Sequence, residues 1–129
     1  MVKILLVEDN SAVREATRLV LEGAGYEVLE AISGLRVEDT IDSHKPELVL
    51  TDMLMPDRDG VETVLALRRR YPRLRIIAMS GGGPRGDLDL GVARKLGASA
   101  TLGKPYDPEQ LIALIAEVLA GPEPAPRSG

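Results

Sequence analysis

The sequence predicts an α/β fold, a (βα)5 doubly wound three-layer sandwich built on a five-stranded parallel sheet. Two observations carry this expectation. Five short runs rich in Val, Ile and Leu recur along the chain: "KILLV", "EVLEA", "ELVLT", "RIIAM" and "ATLG". Each is followed by a helix-like segment, and right-handed crossovers between parallel strands place helices on both faces of a sheet. With 129 residues, 44% of them hydrophobic, the chain can bury one core but not comfortably two.

The first, third and fourth runs are nearly continuous in apolar character, as parallel strands covered on both faces require. The second, opening from Tyr26, alternates like an edge strand. The first helix is expected to open at Asn10 or Ser11, to place Val13, Ala16, Val20 and Leu21 on one face, and to end near Gly23 and Gly25. Segments 34–44 and 87–96 are less periodic, and their limits are only loosely marked. The third helix is expected to start at Asp59, with Glu62 completing a capping box, and to carry Val61, Val64 and Leu65 before "YP" stops it. For the last helix, Asp107 is the expected N-cap, Pro108 the first helical residue and Gln110 the third, followed by Leu111, Leu114, Ile115 and Val118. The domain is expected over residues 1–120, and "GPEPAPRSG" (121–129), with three prolines in nine residues, reads as a disordered end or linker stub.

Composition excludes several classes of function. A net charge of −4 and a pI near 5.0 argue against general binding to nucleic acid or to membrane surfaces, which needs clustered cations. Zero cysteines remove a disulfide framework, a thiol nucleophile and a zinc-thiolate site. His44 is the only histidine, so no metal site can rest on imidazoles, and it reads as a solvated residue at a helix end. The opening "MVKILLVEDN" turns acidic too soon for a signal peptide, and no stretch approaches the ~20 apolar residues of a membrane span. A cytoplasmic location is expected. The run "RRRYPRLR" is expected to form a solvated cationic face at a helix C-terminus, where cations complement the dipole.

In open α/β sheets ligands bind beyond the carboxyl ends of the strands, near the point where strand order reverses. Strand one ends in Glu8 and Asp9, strand three in Asp52, strand four in Ser80 and strand five in Lys104. Three carboxylates together are costly, since two like charges 4 Å apart repel by roughly 4 kcal/mol at an effective dielectric of 20. Lys104 offsets only part of this, and a divalent cation is the natural remedy. An all-oxygen donor set favours Mg²⁺ or Mn²⁺. Asp52 then serves as a nucleophile toward phosphorus while the cation, Lys104 and the Ser80 hydroxyl hold the phosphoryl oxygens.

These residues carry a resemblance. The acidic pair in "LLVEDN", the pattern D-x-x-M-P-x-x-D-G in "TDMLMPDRDG", "AMSGG", and "GKP" before an aromatic stand in order at strand ends. The chain resembles the receiver domains of bacterial two-component response regulators, single-domain chemotaxis-regulator-like members included, over about residues 1–120. The resemblance implies a flavodoxin-like strand order 2-1-3-4-5. It implies that Asp52 accepts a phosphoryl group from a phosphohistidine, with Mg²⁺ bound by Glu8, Asp9, Asp52 and the main-chain carbonyl of Leu54. Ser80 matches the family's switch hydroxyl, Lys104 the lysine that pairs with the phosphoryl group, and Lys104–Pro105 the family's cis peptide. Met55 and Pro56 would shape the loop beside Asp52, with Gly60 in the turn into the helix. Implied partners are a sensor histidine kinase or histidine phosphotransfer protein and one downstream target. The target would meet the face made by the fourth helix, fifth strand and fifth helix. The chain would be a monomer or a phosphorylation-linked dimer, a signalling module and not an enzyme.

Two departures from the family pattern stand out. Thr101 occupies the switch position that is commonly Tyr or Phe, and Tyr106, which follows Lys104, is expected to pack at the start of the last helix. Leu54 and Gly82 occupy positions that tune dephosphorylation in the family. Leu54 has no group to orient an attacking water, so a long-lived phosphoryl group is expected.

Competing readings fare less well. Gly81, Gly83 and Gly86 match G-x-G-x-x-G, but after the fourth run instead of the first, with Pro84 inside and with Lys104 ending the next strand where a ribose-binding acid would belong. These glycines fit better as a pliable link after Ser80, with Gly81 keeping space beside the phosphoryl group. A Mg²⁺-dependent phosphohydrolase working through an aspartyl phosphate would want an acid where Leu54 stands. A flavin module is poorly supplied with aromatic residues, having no Trp or Phe. A domain that docks without phosphorylation is the remaining alternative.

Overall fold

The computed structural model describes residues 1–53, 60–81, 91–122 and 124. Strands β1 (Lys3–Val7), β2 (Glu27–Ala31), β3 (Leu48–Asp52), β4 (Arg75–Ser80) and β5 (Ala100–Gly103) form one parallel sheet in the order β2-β1-β3-β4-β5. Helices α1 (Ser11–Gly23), α2 (Val37–His44) and α3 (Gly60–Arg70) follow the first three strands. The described part of α4 covers residues 91–96, and α5 is Pro108–Ala120. The fold is the expected flavodoxin-like α/β sandwich. Its strand order reverses between β1 and β3, so the ends of those two strands flank the crevice where such sheets bind ligands.

The period-two alternation of strand side chains divides the core in two. Leu5, Val7, Val49, Ile76 and Ala78 face Val37 and Ile41 of α2, Val64 and Leu67 of α3, and Ala93 of α4. Ile4, Leu6, Leu48, Leu50, Ile77 and Met79 face Leu21 of α1 and Leu111 and Ile115 of α5. Each fully buried Leu or Ile contributes about 2 kcal/mol of hydrophobic stabilisation. The continuous apolar runs are thus the strands covered on both sides, and β2, with its partly exposed pattern, is an edge.

Local signals explain most boundaries. Asn10 caps α1, its side chain accepting from the Val13 amide at 3.0 Å. Asp107 and Gln110 form a reciprocal capping box on α5 with Pro108 in its first turn, as expected. The α3 capping box expected at Asp59 lies outside the described residues. By contrast, α2 is bracketed by two non-glycine residues with left-handed backbone, Arg36 (φ 62) and Lys45 (φ 51). Pro46 follows its C-cap, but neither cap is a glycine and Arg36 makes no side-chain capping bond, so its start is weakly marked in the sequence.

Two expectations need correction. Of the stripe expected on α1, only Leu21 is fully buried, Ala16 is exposed, and the other inward residue is Thr17. The Thr17 hydroxyl shares a hydrogen bond of 3.1 Å with the Tyr106 hydroxyl, so a satisfied polar group occupies a place that hydrophobic spacing assigns to an apolar one. The run "RRRYPRLR" is not simply a solvated face. Arg70 is exposed and ion-paired with Asp42, but Arg68 is buried, 4% exposed. Its guanidinium donates to the Gly97 carbonyl at 2.9 and 2.7 Å and to the Pro72 carbonyl at 2.9 Å. Arg75 donates to the carbonyls of Val118 and Gly121 at 3.1 and 2.9 Å, tying the start of β4 to the end of α5. The first residue of the C-terminal "GPEPAPRSG" is therefore held by the domain. His44 is the exposed last residue of α2.

Candidate phosphoacceptor site

The carboxyl ends of β1 and β3 bring Glu8, Asp9 and Asp52 together, with carboxylate oxygens lying within 4.8 Å of one another. Glu8 and Asp52 are buried and Asp9 is exposed. Asn10, by capping α1, leaves the Asp9 carboxylate available to the crevice. Lys104, one residue past β5, extends its ammonium to Glu8 Oε1 at 2.8 Å and to Asp52 Oδ2 at 2.9 Å. The Lys104–Pro105 peptide is cis, and the Lys104 amide donates to the Ser80 carbonyl at 2.6 Å.

Among the described residues, one cation faces three carboxylates. Burial, with the neighbouring Asp52 charge adding to it, pushes the Glu8 carboxyl above the usual range despite the Lys104 ammonium. Burial alone would lower the Lys104 pKa, but its bonds to Glu8 and Asp52 outweigh that and hold it up, so it stays charged. The cluster fits a hard divalent cation: all-oxygen donors, two buried and one exposed toward water, with no sulfur or imidazole.

Ser80, the last residue of β4, is completely buried, and its hydroxyl has no hydrogen-bond partner among the described residues. Buried polar atoms are almost always paired, and an orphan at a strand end beside the acidic cluster is a donor available to an arriving oxygen. Among the described residues, a Cβ placed on Gly81 would meet no heavy atom within 4 Å. Thr101 is not part of this group: it is half-buried on β5, paired with Ala78, while Gly103 pairs with Ser80. Tyr106 packs toward α1 through Thr17. Gly60 opens α3. Leu54, Met55, Pro56 and Gly82 lie outside the described residues.

One feature had no signature in the sequence. Arg14 on α1 donates to the main-chain carbonyls of Glu8 and Asp9. Because its partners are backbone atoms, no residue pattern points to it.

Comparison with known proteins agrees with this geometry. The profile of the response regulator receiver domain matches residues 4–116. The response regulator Rre1 of Synechocystis sp. is 34% identical over 92% of this chain, which spans about half (52%) of that protein. Sporulation initiation phosphotransferase F of Bacillus subtilis is 32% identical over 84% of this chain and 86% of its own length. A CheY-like receiver domain from Methanospirillum hungatei superimposes with a TM-score of 0.83 at 28% identity, covering 93% of this chain and 94% of that one. A parallel sheet with acids, an ammonium and a hydroxyl at its carboxyl edge defines the class, a signalling domain of the flavodoxin-like fold. The chain belongs to the response regulator receiver domain family. Among the described residues, no helix is long and apolar enough to cross a membrane.

Proposed function

We propose that this receiver domain works as a phosphoacceptor, with Asp52 as the acceptor residue. The observation that carries this reading is the Lys104 ammonium bridging Glu8 and Asp52 at 2.8 and 2.9 Å, with Asp9 completing a cluster of three carboxylates. A carboxylate oxygen of Asp52 attacks the phosphorus of a phosphohistidine; the P–N bond breaks, its electron pair leaves with the imidazole, and an aspartyl phosphate forms. Glu8, Asp9, Asp52 and the Leu54 carbonyl would hold Mg²⁺, which supplies charge neutralisation for the phosphoryl oxygens. Lys104 then exchanges a carboxylate partner for a phosphoryl oxygen, and the orphaned Ser80 hydroxyl donates to another.

The signal leaves through the face of α4, β5 and α5, with Thr101 at the position where the family commonly carries an aromatic switch. The donor is a sensor histidine kinase or histidine phosphotransfer protein in the cytoplasm, and the receiver is a downstream protein. Leu54 offers no group to orient water, so the phosphoryl group is long-lived. The test is intact-protein mass after incubation with acetyl phosphate, with and without Mg²⁺. A Mg²⁺-dependent gain of one phosphoryl group, absent in Asp52→Asn, is expected. A gain that survives in Asp52→Asn would assign the acceptor elsewhere.

A further inference from the structure

We propose that Arg14 is a positioning residue that sets the affinity of the acidic pocket for Mg²⁺, an inference that rests on the reading of that pocket given above. Arg14 lies in the first turns of α1, and its Nη1 donates to the main-chain carbonyl of Glu8 at 3.1 Å and, more weakly, to that of Asp9 at 3.5 Å. These are the two consecutive residues whose carboxylates reach the pocket from β1. The guanidinium is steadied from the side of β2. Its Nε lies 4.0 Å from Glu30 Oε2, whose Oε1 takes the Nε of Arg18 at 3.0 Å, and Arg18 reaches Glu22 at 2.8 Å. The Arg14 side chain is only 18% exposed.

Other bonds hold the same loop. The Glu8 amide donates to the Ala31 carbonyl at 3.0 Å, and the Asn10 amide donates to Glu8 Oε2 at 3.3 Å. Arg14 restrains the carbonyl side of Glu8 while Ala31 restrains its amide side. With both sides held, the peptide planes that aim the two carboxylates cannot swing apart under their mutual repulsion. A guanidinium suits the task because its rigid fork lets Nη1 meet the two carbonyls while Nε, a fixed distance away, faces Glu30, whereas an ammonium concentrates its donors on one atom. The competing possibility is a strap that only fastens α1 to β2. Half-exposed ion pairs contribute little to stability, and such a strap would leave metal affinity untouched.

Mg²⁺ titration calorimetry on the full chain separates the two, comparing the wild type with Arg14→Ala, Arg14→Lys and Glu30→Gln. Loss of a group that orients metal ligands commonly weakens metal binding by 10–100-fold, and Arg14→Ala is expected to weaken it by about tenfold. Phosphorylation by acetyl phosphate is expected to slow at limiting Mg²⁺ and to recover at saturating Mg²⁺. Arg14→Lys is expected to recover part of the affinity, and Glu30→Gln, which keeps the carbonyl contacts, to lose the least. A folded Arg14→Ala that binds Mg²⁺ as the wild type does, with or without a lower melting temperature, overturns the proposal. Should Arg14→Ala not fold, a folded Arg14→Lys with wild-type affinity overturns it equally. A wild type that binds no Mg²⁺ would instead overturn the reading of the pocket itself.

Discussion

Lys104 and Arg68 are both cations that tie distant segments together, yet the acceptors described for them differ: carboxylates for Lys104, main-chain carbonyls for Arg68. Arg68 is buried, and its planar fork donates to the carbonyls of Gly97, Tyr71 and Pro72. Gly97 lies against it with φ +118, and a Cβ there would come within 2.7 Å of Arg68 Cγ, so backbone and side chain are fitted to each other. Lys104 is a point charge shared between two carboxylates, in a pocket where Glu8 is held above its ordinary pKa and Ser80 has no partner. Among the described residues, the Arg68 guanidinium is bonded to main-chain oxygens, whereas the pocket gathers three carboxylates around Lys104 and holds the unpaired Ser80 hydroxyl.

The largest effect that would break this contrast is a crossed result. Asp52→Asn is expected to abolish phosphoryl gain and keep the fold, whereas Arg68→Ala is expected to lower the unfolding free energy by about 3 kcal/mol and leave Asp52 competent in the folded fraction. Urea unfolding beside mass spectrometry reads both. Next, Lys104→Ala removes the ammonium that Glu8 and Asp52 share. A stability loss of about 2 kcal/mol is expected in metal-free buffer, below the usual cost of breaking a buried pair because Lys104 is partly exposed. Mg²⁺ is expected to restore much of that loss, and none of the loss in Arg68→Ala beyond its effect on the wild type.

Ser80→Ala sharpens the comparison at smaller scale. Removing an unpaired buried hydroxyl is expected to change stability by no more than about 0.5 kcal/mol, or to raise it, because no hydrogen bond is lost. A substantial destabilisation would mean that the hydroxyl is not an orphan.

The smallest effect is a pH dependence on the Arg68 side. Burial, together with its hydrogen bond to Asp42, pushes the Tyr71 hydroxyl up to about 12 from an ordinary 10.0. The folded state holds this proton more tightly than the unfolded one. The resulting stabilisation is present below pH 10 and is lost as the pH rises toward 12. The stability difference between the wild type and Tyr71→Phe is therefore expected to shrink over that window, as read by denaturant unfolding. A constant difference would deny the proton linkage.

The sequence by itself determined the fold class, the five strands, the cap of α5 and the candidate acids, ammonium and hydroxyl. Continuous apolar runs can be accommodated only as strands covered on both faces, and a parallel sheet brings successive strand ends to one edge, so Glu8, Asp9, Asp52, Ser80 and Lys104 were legible as neighbours before any coordinates. The tertiary structure alone decided that Thr17 and not Ala16 faces the core, that Arg68 and Arg75 donate to main-chain carbonyls, that Ser80 lacks a partner among the described residues, and that Arg14 donates to the carbonyls of Glu8 and Asp9. The reason is shared by all four. They depend on helix rotation and on main-chain atoms contributed by distant segments, and a carbonyl oxygen is the same in every residue, so no letter of the sequence marks it.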